Sequence, residues 1–409
     1  MAGRLSWGLG DQAVSSLTNF VVGVYVAREL GVSAFGVFSL AWVTYGVVLN
    51  VSRGLATDPL MVRFSGVDTG VWRAAVARSS ATALAVGAVA GLVSVVFGLV
   101  VGGRIGPGFI ALGVVLPALL LQDSWRFAFF ASGEGRKAFV NDALWGLAMV
   151  PAMLLAALHG SVVAFLLAWG GAAALAALYG YVQTGLRPGA RGARGWLRDQ
   201  RDLGPRYLVE NVSNSGGSQI RMYGLGAIAG VAAVGTVRGG ELLLGPFLAV
   251  LMGLAFVAVP EAARVVRRNV RRLTAFCLVL GGSQALGALL WGGALLLVLD
   301  DRLGEWVLGD VWRTARALIV PATLSVFNAS FIGGAASGLR ALGAARRSMR
   351  CQLIASALYV TGGLAGAAIG GAVGSGWGVA CATFAGAFVW WTQLHAAVRD
   401  HVPEEARNP

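Results

Sequence analysis

The feature that most limits what this chain can fold into is a series of apolar runs separated by short polar breaks. The hydrocarbon core of a bilayer takes about 20 residues of helix to cross. Within it, every backbone N–H and C=O has to find its partner inside the segment. Runs of this length therefore fold as transmembrane helices. They lie near 11–30, 34–58, 79–103, 108–132, 138–158 and 161–183, and again near 206–230, 234–260, 273–299, 315–338, 351–371 and 376–397. Of the 409 residues, 57% are hydrophobic and 12% charged, whereas a soluble domain carries about 25% charged residues. The sequence thus predicts an all-α integral membrane protein with about twelve transmembrane helices. They would form an N-terminal six-helix bundle over 1–183 and a C-terminal one over 206–399, with a linker at 184–205 and a tail at 400–409.

The formal charge of +13 comes almost wholly from arginine, Lys137 being the single lysine. In a soluble protein such a balance would suggest nucleic acid. Here the source is the bias of cytoplasmic loops toward Lys and Arg, and no nucleic-acid partner is expected. With the N-terminus placed inside, 23 of the 32 basic residues fall in cytoplasmic segments, 6 outside, and 3 within spans. That split predicts a multi-pass membrane protein with both termini and the linker cytoplasmic. The richness in Ala, Gly and Val points to a GC-rich bacterial source, and Met1–Gly10 does not resemble a cleaved leader.

The halves repeat. "ARELGVSAFG" matches "GAIAGVAAVG", which aligns Gly31 with Gly230 at an offset of 199. "DPLMVR" and "VPEAAR" place Pro59 on Pro260, and "ASGEGRKA" and "ALGAARRS" place Gly133 on Gly343. Each half has an even number of spans, so the repeats are parallel, related by an axis along the membrane normal. The same offset lays "ENVSNSGGSQ" on "DQAVSSLTNF". In both copies the polar residues step as one helical face. They include Asp11 and Asn19 in the first copy, and Glu210, Asn211, Asn214 and Gln219 in the second. Two readings stand: a wet face on a cavity, or hydrogen bonding between packed helices. The acids Asp11 and Glu210 favour the cavity, because ionisable groups at depth are costly.

The three basic residues inside spans are Arg53, Arg126 and Arg221. Arginine at depth is tolerated when it faces water or a partner. These three could line one cationic chamber, or each could pair with a carboxylate, Asp58 and Asp123 being close in sequence to Arg53 and Arg126. Arg238 and Glu241 read as a plain i, i+3 salt bridge. "RVVRRNVRRL" reads as a basic helical face on the anionic leaflet, Trp196–Leu203 as a short interfacial helix, and Asp300–Asp301 as a solvated turn.

Several chemistries lack their residues. Lys137 in "GEGRKA" is not a phosphate-binding loop, and His159, His395 and His401 have neither metal nor triad spacing. Cys277, Cys351 and Cys381 suggest no disulfide or metal site. No catalytic residue, metal or cofactor is expected.

The stretches "ARELGVSAFGVFSL", "QDSWRFAFFASGEGRKAFVNDALW", "GTVRGGELLLGP" with "VAVPEAAR", and "GLRALGAARR" resemble the MOP superfamily. That superfamily holds the Wzx-like polysaccharide flippases, the lipid II flippases and the MATE exporters. The likeness runs over nearly the whole chain. It implies two six-helix bundles in a V around a cavity that opens alternately to each side. In the polysaccharide and lipid II branches that cavity is cationic and takes a lipid-linked pyrophosphate sugar, and Arg53 and Arg221 hold family-like positions. The resemblance implies a flippase for a polyprenyl-linked glycan in the bacterial cytoplasmic (inner) membrane, with the bilayer and envelope polysaccharide enzymes as partners. Arg53, Arg126, Arg221, Asn19, Asn211, Asn214 and Gln219 would meet substrate, and Asp11, Asp123 and Glu210 would supply acidic cavity or coupling groups. The rival is a MATE-like H⁺- or Na⁺-coupled multidrug antiporter using those acids. A scaffold for envelope enzymes is a third class, without a positive sign in the sequence.

Overall fold

The computed structural model describes residues 2–189 and 192–401, and of residues 2–13, 214, 253 and 255–257 the backbone alone. Among the described residues every regular element is helical. The chain divides into two compact units, Met1–Gln219 and Ile220–Pro409. The first holds α1 (Ala2–Ser52), which continues through a π-helical turn (Arg53–Thr57) into α2 (Asp58–Arg63). It also holds α3 (Thr69–Val101), α4 (Gly106–Ser132), α5 (Gly135–His159), α6 (Val162–Thr184) and the short α7 (Gly192–Asp199). The next helix, α8 (Gly204–Arg268), gives its residues up to Gln219 to the first unit and the rest to the second. The second unit continues with α9 (Leu273–Val298), the short α10 (Asp301–Leu308) and α11 (Val311–Ala315), α12 (Ile319–Ala341) and α13 (Ala345–Asp400).

Among the described residues, nine helices are long and apolar enough to cross a membrane. Their lipid-facing character shows on the outside: Leu297 is 88% exposed and Ile369 89%. A soluble protein does not leave such a continuous apolar surface to water.

Three of the helices are longer than a bilayer needs, and each breaks at glycine. Alpha1 breaks at Gly31 (φ 69°, ψ 171°) and α8 at Gly230 (φ 81°, ψ 170°). This region of backbone space is essentially closed to residues with a side chain. The two glycines that align at an offset of 199 thus hold nearly the same conformation. Alpha13 breaks at Gly370–Gly371. The α1 break directly follows the predicted span 11–30, and the other two fall at the last residues of the predicted spans 206–230 and 351–371. Gly133 and Gly343, also aligned, both take positive φ at a turn between helices.

Close packing explains much of the glycine content. A Cβ added at Gly98 would lie 2.6 Å from the Gly106 carbonyl oxygen, and one at Gly87 2.7 Å from the Pro117 Cα. Alpha3 and α4 therefore meet backbone to backbone, as small residues allow in membranes. Within α13, a Cβ at Gly362 would lie 2.7 Å from the Gly378 carbonyl oxygen, across the Gly370–Gly371 break. Larger side chains fill the remainder: Trp72, Trp125, Phe129 and Trp196 in the first unit, Leu273, Trp390 and Leu394 in the second.

Three expectations about the connections need correction. The linker helix spans Gly192–Asp199 rather than 196–203, and it is docked on the protein. Trp196 is buried, and its Nε1 donates to the Leu55 carbonyl at 3.0 Å. Beyond it, Arg78 pairs with Asp199 at 2.6 Å, and Arg63 holds Gln200 at 2.7 Å and also Asp202. The hydrogen bond from Arg78 holds the Asp199 carboxyl below its ordinary range. The basic run is not one helical face: α8 stops at Arg268, and Asn269 turns extended and caps the next turn by accepting from Arg271 N. The outer Asp300–Asp301 pair is engaged rather than merely solvated. Asp300 caps α10 by accepting from Leu303 N at 2.7 Å, and Asp301 pairs with Arg316 at 2.5 Å and accepts from Trp312 Nε1 at 3.1 Å.

Candidate functional site

In the first unit the polar groups converge on the π-helical turn. A π turn inserts a residue and loosens the carbonyl ladder. The freed Leu55 carbonyl accepts from Trp196, and the Ala56 carbonyl accepts from Ser79 Oγ at 2.9 Å. Arg53 opens this turn and aims at α4. Its Nε and Nη2 donate to the two Asp123 oxygens at 3.1 and 2.7 Å, a two-point fork. The Phe127 ring lies 5.0 Å from the guanidinium. Arg126, about one turn along α4 from Asp123, reaches Asp142 of α5 at 3.3 Å and lies 5.8 Å from the Phe130 ring. Gln122 Nε2 donates to Asp142 at 2.7 Å, and Asn141 donates to the Ala176 carbonyl at 2.9 Å and to Gln183 at 3.1 Å. Two guanidiniums meet two carboxylates here, with Asp58 a third acid close to Arg53, so this network carries no surplus positive charge.

Arg53 and Arg126 therefore do pair, though not with their sequence neighbours in the way the spacing suggests. Asp123 shares α4 with Arg126 but answers Arg53. Asp58 instead accepts from Asn211 Nδ2 at 2.7 Å.

That last contact bears on the polar stretch Tyr207–Gln219. Ser215 Oγ accepts from Asn50 Nδ2 at 2.8 Å. A Cβ at Gly54 would lie 2.6 Å from the Leu208 Cα, so the backbones are nearly touching there. Gln219 Nε2 lies 3.5 Å from the same point on Gly46. Within the first unit, then, Asn211, Ser215 and Gln219 face α1 and its continuation. Glu210 is exposed and Asn19 half-buried. The side chains of Asp11 and Asn214 lie outside the described residues.

The second unit is different in charge. Arg221 enters from α8 before the Gly230 break and is 4% exposed. Its Nη2 donates to Glu241 Oε1 at 2.7 Å, while Arg238 Nη1 donates to Glu241 Oε2 at 3.0 Å. Glu241 is thus no plain partner of Arg238: one carboxylate serves two guanidiniums, and one positive charge is left over. The Tyr359 ring lies 5.2 Å from the Arg221 guanidinium. Gly363 makes room for the arginine stem, since a Cβ there would lie 2.7 Å from Arg221 Cδ. The Nε of Arg221 is buried and has no hydrogen-bond partner among the described residues.

The structure brings Arg53, Asp123 and Arg126 into one region of the first unit, and places Arg221 in the second. Sequence reasoning missed Asp142 and the bridging role of Glu241. Asp142 was open to notice as an ionisable residue inside the run at 138–158, by the same rule that singled out the arginines. Among the described residues no group of His, Cys, Asp and Glu could hold a metal ion.

No family model matches this sequence, and no curated protein matches it. Solved structures do share its fold. An inward-facing multidrug resistance MATE family transporter of the MOP superfamily superposes with a TM-score of 0.67 at 15% identity, over 95% of this chain and 96% of that one. An outward-facing one gives 0.53 at 14%, over 97% and 95%. A MOP superfamily transporter from Pyrococcus furiosus, described as having a binding pocket of reverse polarity that suggests a different function, gives 0.52 at 14%, over 97% and 95%. The chain therefore has the fold of MATE family transporters of the MOP superfamily, and these neighbours are transporters rather than enzymes.

Proposed function

We propose that this chain is an alternating-access flippase. It moves a polyprenyl-pyrophosphate-linked oligosaccharide across the bacterial cytoplasmic membrane for envelope polysaccharide assembly. The observation that carries the reading is the Arg221–Glu241–Arg238 cluster, in which Arg221 is buried and the other two are half-buried, with its surplus positive charge and an unfilled Arg221 Nε. A cationic drug would be repelled by that surplus. A pyrophosphate brings negative charge that cannot cross a low-dielectric interior without counter-charge, and the planar guanidinium fork suits phosphate oxygens. Arg221 and Arg238 are the cargo residues in this proposal. Arg53 and Arg126 hold the first unit together through Asp123 and Asp142, and meet the cargo only at their open edges. The glycine breaks in α1, α8 and α13 favour twelve spans in two parallel repeats, with the termini and α7 on the cytoplasmic side.

A multidrug antiporter is the second reading, favoured by the two structural neighbours that are multidrug resistance transporters and by the exposed acid Glu210. Four variants at matched membrane level separate the two. In a flippase Arg221→Ala abolishes surface polysaccharide, Arg221→Lys keeps part of it, and Glu210→Gln and Asp11→Asn leave drug resistance unchanged. Normal polysaccharide in Arg221→Ala, with drug resistance lost in the two acidic variants, would establish the antiporter instead.

A further inference from the structure

The two arginine forks of the chain are filled to different degrees. Arg53 uses both Nε and Nη2 on Asp123. Arg221 uses Nη2 on Glu241 and has the Tyr359 hydroxyl as a further hydrogen-bonding neighbour, while its buried Nε has no hydrogen-bond partner among the described residues. Glu241 in turn spends one oxygen on each of two arginines. A carboxylate gripped at two points by two guanidiniums supplies two of the acceptor oxygens that a phosphoryl group would offer. Arg221 Nε is left as a donor for a further one.

We infer that Glu241 is an internal stand-in for the cargo's phosphoryl group. It neutralises Arg221 and Arg238 while the site is empty, and is displaced from them when the anion binds. This rests on the flippase reading and deepens it by naming the residue that sets cargo affinity and release. Glu241 is suited to the exchange because it is 32% exposed while Arg221 is 4% exposed: the carboxylate can swing to water and leave the arginine in place. Tyr359 and Gly363 on α13 hold the Arg221 stem whether or not Glu241 is present. Other charge nearby is committed elsewhere. The segment packed on Gly239 and Gly240 carries Arg313 and Arg316, which pair with Glu305 and Asp301, and α9 has no charged residue. A resident carboxylate weakens binding of the incoming anion but lets the site empty again. A site of two arginines alone would hold a pyrophosphate too long to turn over.

The test is calorimetric binding of inorganic pyrophosphate to the purified full-length protein in phosphatidylcholine nanodiscs, beside polysaccharide export in cells. Glu241→Gln keeps the shape and removes the competing charge. It should bind pyrophosphate about tenfold more tightly than the parent, the usual scale for a charge-assisted hydrogen bond, while exporting less. Arg221→Gln added to Glu241→Gln should abolish the gain. If Glu241→Gln proves unstable, Glu241→Asp, which withdraws the carboxylate without removing it, should give an intermediate gain. Equal or weaker binding in a folded Glu241→Gln protein would overturn the stand-in role, and the flippase reading would survive if Arg221→Ala still blocked export. Absence of pyrophosphate binding in every variant would also overturn it, and together with normal export by Arg221→Ala would remove the flippase reading as well.

Discussion

Replacing Asp123 by alanine should be among the most damaging single changes in the first unit. Asp123 is 6% exposed and Arg53 29%, and two hydrogen bonds of 2.7 and 3.1 Å join them. Asp123→Ala takes both hydrogen-bond acceptors from the guanidinium on the π-helical turn and leaves it the Phe127 ring and the weaker fields of Asp58 and Tyr45. Breaking a buried pair on one side costs about 3–5 kcal/mol. Arg53 keeps some contact with the surface, so the lower end, about 3 kcal/mol, is expected. Arg53→Ala should cost more, because the carboxylate it strands is the more deeply buried partner. The double replacement Arg53→Met with Asp123→Leu removes both charges at similar volume and should recover most of the loss, since apolar substitutes for buried pairs are often neutral. Thermal unfolding of the purified protein in detergent provides the assay. At about 2–4 °C per kcal/mol for a unit of this size, Asp123→Ala should melt roughly 6–12 °C lower. If Asp123→Ala melts with the parent, or the double variant falls by the sum of the two singles, the fork is not a structural element.

Other expectations are briefer. Gly31→Ala and Gly230→Ala add a side chain where nothing lies within 4 Å, so any loss is backbone strain, about 1–3 kcal/mol each by the same melting assay. Gly98→Val drives a side chain into the Gly106 carbonyl, 2.6 Å from its Cβ, and should cut the yield of folded protein on size exclusion far more than valine at the open Gly293. Single cysteines at Arg194 and Asp301 in a cysteine-free background should label oppositely with an impermeant thiol reagent, and labelling at 194 from outside would reverse the proposed orientation. Arg78 depresses the Asp199 carboxyl, so their contact contributes to linker docking at neutral pH and is lost only as pH falls through that lowered range. A spin label at Leu197 should stay immobile down to the ordinary carboxylate range, loosen below it, and be loose throughout in Asp199→Asn.

The membrane-spanning architecture was open to reading from the sequence because lipid sets the length of an apolar run whatever it packs against. The glycine breaks were also legible: Gly31 and Gly230 recur in matching frames, and a backbone with φ near +70° leaves no other residue type. Partner choice was not. In a soluble helix the apolar stripe shows which way a side chain points. In α4 and α5 the lipid face and the packed face are both apolar, so nothing in the sequence says that Asp123 faces Arg53, 70 residues away, rather than Arg126 on its own helix. The same holds for Glu241, whose i, i+3 neighbour Arg238 gave a sufficient local explanation and hid its second partner, Arg221. Alpha10 went unnoticed because Asp300–Asp301 reads equally well as a solvated turn and its eight residues are a short run between two spans.

The proposed activity is tested most directly by reconstitution. Purified protein in liposomes would be given a fluorescent polyprenyl-pyrophosphoryl saccharide, and the share of label reachable by an impermeant quencher followed in time, with a cationic dye assayed in parallel. A flippase predicts movement of the saccharide lipid between leaflets that Arg221→Ala stops, with no transport of the dye. Dye transport by the parent protein, unaffected by Arg221→Ala and unaccompanied by movement of the saccharide lipid, would contradict it.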